Sequence, residues 1–132
     1  MKFKTLMSIK ALVCLALGVP ILIVPIFLYQ LFGASLGSGG VFAAREYGAS
    51  LIGNLVLTWF ARNAVESDAR RAIISALFVY DAIGFVITLI ALFSGALGIL
   101  GWFAAAIYLF FTVTFGYFLI YSPAPEVGTR AV

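Results

Sequence analysis

At 132 residues, 64% hydrophobic and only 10% charged, the chain is long enough for one domain and too apolar for a soluble one. Its net charge of +3 sets eight cations against five acids, and the cations are scattered between apolar runs, which excludes the clustered basic face that nucleic-acid binding requires. With no histidine and Cys14 as the single cysteine, an intrachain disulfide, a Cys/His zinc site and a His-ligated haem are excluded as well.

A membrane-spanning helix needs about 20 mainly apolar residues, and the chain divides into four such runs. The first covers about residues 10–32. It is longer than the core of a secretory leader and carries Pro20 and Pro25 in its interior, so it reads as a retained span, with the small residues at 33–35 marking where cleavage would otherwise fall. The two prolines predict a kink between them. Cys14 reads as a buried, inert thiol. Residues 33–40, GASLGSGG, suit a tight connection.

The second run, about 41–61, is the odd one. Between Glu46 and Arg62 only 15 residues are uncharged, about 22 Å of helix, which is short for a bilayer. Started at Val41 it reaches full length with Arg45 and Glu46 inside the boundary, so protein should shelter it. Tyr47, Ser50, Asn54 and Thr58 follow helical spacing and form a polar stripe. Ala49 and Gly53 form a small-residue seam for close helix approach.

The loop RNAVESDARR, residues 62–71, is strongly charged. Ser67 is placed to cap the following helix, with Asp68 in its positive first turn. The third run covers about 69–93 and the fourth about 99–121, with Trp102 near one end and Tyr117 and Tyr121 near the other, as interfacial belts require. Residues 122–132 form a polar tail. Lys2, Lys4, Lys10, Arg62, Arg70, Arg71 and Arg130 fall on one side of this layout, against Arg45 on the other. Seven against one predicts both termini in the cytoplasm. The expected fold is all-α: a four-helix bundle in the cytoplasmic (inner) membrane, N-in and C-in.

Asp81 stands near the middle of the third run, where a charge is expensive and must be paired, neutralised by a proton or turned to an internal cavity. By depth its expected partner is Asn54. Arg45 is the competitor, although it can also reach the surface and pair with Glu46 or a lipid phosphate. Gly84 and Thr88 continue the face of Asp81. Two roles stay open for Asp81: a proton or cation site, or a hydrogen-bonded clasp between helices or subunits. The fourth run is rich in aromatics, which suit either a flat lipophile such as a quinone or plain packing against lipid and protein. No nucleophile–base pair, phosphate-cradling loop or metal-ligand cluster stands out, so neither an enzyme nor a cofactor or metal site is expected.

The segment AREYGASLIGNLVLTWFAR, with Arg45 and Gly48 opening the second run and an arginine closing it, resembles small bacterial four-helix membrane proteins of the DoxX-like kind. That resemblance implies a small subunit associated with quinone-linked complexes and assigns no site residue. The expected function is a non-catalytic accessory or structural subunit packed against other membrane subunits or itself. The alternative is a small oligomeric transporter or proton-coupled carrier using Asp81.

Overall fold

In the computed structural model, which describes residues 1–121, the chain is all-helical, with no strand among those residues. The helices are α1 (Phe3–Ile23), α2 (Pro25–Leu31), α3 (Ser38–Ala61), α4 (Asp68–Phe93) and α5 (Gly101–Tyr121). By length and composition α1, α4 and α5 can each cross a membrane. Helix α3 has 24 residues, about 36 Å, but its glycines, hydroxyls and Arg45–Glu46 make it less apolar. The tail at 122–132, with Arg130, lies outside the described residues.

Local chemistry sets the helix ends. The kink in the first run falls at Val24 (φ −129°, ψ 57°), and Pro25 begins α2 as its first residue, where a missing N–H is harmless. Gly33 and Gly95 take positive φ (78° and 79°) in the turns after α2 and α4, a conformation that favours glycine. Ser67 caps α4 by accepting the Arg70 N–H, with Asp68 in the first turn.

Two antiparallel helix pairs make up the molecule: α1 with α3, and α4 with α5. In the first pair Gly18 lies against Leu51, and Gly48 against the Leu22 backbone. In the second, Gly84 lies under the Tyr108 ring and Gly116 against Phe78. Each glycine removes the side chain that would hold the backbones apart. The expected seam of Ala49 and Gly53 joins no helices within the chain: both are exposed, and a Cβ on Gly53 would meet nothing within 4 Å. Gly18 and Gly48 do that work instead, because α3 turns its Ala44–Gly48–Leu51 face to α1.

The pairs meet through long side chains. Phe3, Leu6 and Met7 of α1 form one core with Ile74 and Leu77 of α4 and Phe111 and Phe115 of α5. The Arg70 guanidinium lies 3.9 Å over the Phe3 ring, and Phe3 packs edge-on against Phe118. The starts of α1 and α4 and the end of α5 therefore share one end of the molecule. A smaller cluster of Cys14, Ile21, Ala44 and Leu51 closes α1 on α3. Outside, Leu12, Val79, Ile83, Ile90, Val113 and Ile120 are exposed, an apolar exterior that lipid accepts and water does not.

Gly48→Ala would place a Cβ 2.9 Å from the Leu22 backbone nitrogen, and is expected to destabilise the protein by about 1–3 kcal/mol through overpacking. Gly53→Ala, in open space, is expected to be neutral or stabilising by up to about 1 kcal/mol. Unfolding in mixed micelles compares the two; equal effects would contradict the helix pairing.

Candidate functional site

Two opposite charges occupy interior positions of helices that are otherwise apolar on that face. On α1 the buried stripe runs Phe3, Leu6, Met7, Lys10, Cys14, Gly18, Ile21; on α4 it runs Ile74, Leu77, Asp81, Thr88. Each follows the three-and-four spacing of a core-facing stripe. Because α1 begins at Phe3, Lys10 lies two turns inside the helix and is 3% exposed; Asp81 is fully buried. Lys10 Nζ donates to Asp81 Oδ1 at 2.5 Å, forming an ion pair between the two helix pairs. The ammonium also lies 4.3 Å from the centre of the Phe111 ring and 5.3 Å from that of Tyr80, where the ring faces attract a cation.

This corrects the expected partnership of Asp81. Asn54 does not bond to it, because α3 packs along α1 and not along α4; Asn54 is half-buried on α3. Arg45 is exposed, as is Glu46, and no ion pair joins the two. Lys10 also leaves the group of surface cations to which the sequence assigned it. The signal was present in its register, since Lys10 sits four residues before Cys14 and three after Met7 on the buried stripe.

The polar stripe expected on α3 divides. Ser50 is exposed and donates to the Glu46 carbonyl at 3.1 Å. Thr58 is buried and donates to the Asn54 carbonyl at 2.7 Å, which satisfies it within its own helix. Tyr47 alone reaches across, where its hydroxyl bonds to that of Tyr108 on α5. Tyr80 lies beside them, its ring centre 6.4 Å from that of Tyr108; its hydroxyl is buried and makes no well-directed hydrogen bond. Thr88 donates to the Gly84 carbonyl at 2.7 Å.

Around these groups lies a cavity of about 170 Å³. Lys10, Asp81, Tyr47, Tyr80 and Tyr108 give it a polar end, while Leu28, Tyr29 and Phe32 of the α2 region, with Leu97, also line it. The α2 region is tied to the α4–α5 turn by the Gly98 N–H donating to the Phe32 carbonyl at 2.7 Å, and Gly33 and Gly98 touch backbone to backbone. Cys14 and Thr88 are wall residues too. The aromatics of α5 serve three purposes: Phe111 and Phe115 fill the core, Tyr108 faces the cavity, and Phe103, Tyr117 and Tyr121 are exposed.

An ion pair is the arrangement that best tolerates two charges in such a place. Each charge would otherwise face a medium that screens poorly, and the second oxygen of Asp81, Oδ2, still has no protein partner. Lys10→Met alone is expected to destabilise by about 3 kcal/mol by stranding the acid, and Asp81→Leu by a comparable amount by stranding the ammonium. The double variant Lys10→Met, Asp81→Leu is expected to recover to within about 1 kcal/mol of the native protein. Unfolding midpoints in mixed micelles read the cycle; additive losses would show that the two side chains do not act as a pair.

Comparison of the chain with protein-family models, curated proteins and solved structures finds no match.

Proposed function

We propose that the protein is a four-span bundle of the bacterial inner membrane, with both termini cytoplasmic, and that it is a non-catalytic accessory or structural subunit packed against a larger membrane complex. The observation that carries this reading is the outer face of α3. Arg45, Glu46, Ala49, Ser50 and Gly53 are all exposed there, at helical spacing, on a helix whose opposite face is taken up by α1. Charged, hydroxyl and small residues gain nothing from meeting lipid tails. Against another chain, the small residues permit close approach and the polar ones find partners.

The charge distribution supports the orientation. Arg70 lies over Phe3, which groups Lys2, Lys4, Arg62, Arg70 and Arg71 at one end, while Arg45 lies toward the other. Even without Lys10, which is interior, the bias stays one-sided. A DoxX-like affiliation is compatible with this layout and forms part of the proposal.

A second reading, favoured by the ion pair at the cavity, is a small oligomeric transporter or proton-coupled carrier in which Asp81 titrates. Flux through vesicles that requires Asp81, from a protein purified without partners, would select it over the first.

Ala49→Leu combined with Gly53→Leu is expected to strip a co-purifying membrane partner while leaving the unfolding midpoint of the chain unchanged or higher. Purification from native membranes in mild detergent, followed by mass spectrometry, reads this outcome. Retention of the partner by the variant, or recovery of the native chain as a free monomer, overturns the accessory reading. A tag at Val132 that is reached only from the periplasm overturns the orientation.

A further inference from the structure

The outer face of α3 takes no part in the cavity, to which α3 contributes Tyr47 and Leu51 from its other side. The cavity walls are mostly apolar, with Val13, Leu17 and Ile21 of α1, Leu51 of α3, and Ala104 and Ile107 of α5. Its polar end is concentrated on one ion pair. Asp81 is fully buried, and Oδ2 has no protein partner although Oδ1 is held by Lys10. The ammonium has three N–H donors, of which one is used on Asp81. The Tyr80 ring lies close by, its centre 5.3 Å from the ammonium.

Size and charge narrow the occupant. The volume of about 170 Å³ is close to that of an apolar cavity of about 150 Å³ known to take benzene, so a single six-membered ring fits. The pair is neutral overall, and a ligand carrying net charge would add an uncompensated ion beside it. Directly adjacent donor and acceptor groups suit a ligand atom that both accepts and donates, and a hydroxyl does so.

We propose that this cavity binds the ring of a lipophilic phenol, its O–H donating to Asp81 Oδ2 and its oxygen accepting from Lys10 Nζ. The ring lies among Tyr47, Tyr80 and Tyr108, and any aliphatic tail points toward Leu28 and Phe32. The proposal is independent of the accessory role.

Cys14 supplies a built-in reporter, being the only cysteine in the chain, buried and on the cavity wall. In the full-length protein in nanodiscs, 4-propylphenol is expected to slow modification of Cys14 by a small neutral thiosulfonate. The methyl ether of that phenol, which cannot donate, is expected to bind about tenfold more weakly, the effect of one lost hydrogen bond to a charged group. The Lys10→Met, Asp81→Leu variant is expected to lose the distinction between phenol and ether. Line broadening of a ring-fluorinated propylphenol in fluorine NMR gives the same comparison if Cys14 reacts too slowly to follow. Equal binding of propylphenol and propylbenzene, tighter binding of butyrate or of a propylammonium ion, or no binding of the phenol by either measurement each overturns the proposal.

Discussion

Removing an ammonium and a carboxylate from water is unfavourable by several kcal/mol for each ion, and their mutual attraction offsets this only when they are held in contact. Lys10 and Asp81 meet that condition at 2.5 Å, and their contact fixes much else. The two charges belong to different helix pairs, so neither pair can bury its own ion alone. Joining α1 to α4 at this point sets the relative depth of the pairs, and the Phe111 ring beside the ammonium brings α5 into the same junction. A shift along either helix would leave a bare charge facing hydrocarbon.

Glycines and aromatics divide the remaining packing between them. Within each pair, Gly18, Gly48, Gly84 and Gly116 allow close approach; between pairs, Phe3, Met7, Phe111 and Phe115 fill one end. Toward α2 that filling stops, and tyrosines and smaller aliphatics leave a cavity. The ion pair and the hydroxyls of Tyr47, Tyr80 and Tyr108, which need directed partners, line that cavity together.

The molecule is apolar over most of its circumference and holds a small polar centre at Lys10 and Asp81 within an apolar core. Exposed leucines, valines and isoleucines on α1, α4 and α5 suit lipid, while the first half of α3 presents Arg45, Glu46, Ser50 and small residues outward. This contrast between faces separates the surface proposed for association, the outer face of α3, from the cavity proposed for a small molecule. Either can be altered without touching the other, because none of Arg45, Glu46, Ala49, Ser50 and Gly53 lines the cavity.

Much of this was legible in the sequence. Composition determined an all-helical membrane chain, the prolines located the break near Val24, Ser67 announced the start of α4, and Asp81 stood out as a charge in the wrong solvent. Those are local properties, fixed by hydropathy and by backbone chemistry within a few residues. Tertiary structure alone decided which helices pair. Depth suggested Asn54 for Asp81, whereas Gly18 and Gly48 bring α3 against α1 and leave the carboxylate to Lys10. Lys10 resembled a flanking cation because it precedes an apolar run. Its interior role depends on where α1 begins and on a carboxylate 71 residues away, and the free energy of a buried charge is set by the partner that the fold brings to it.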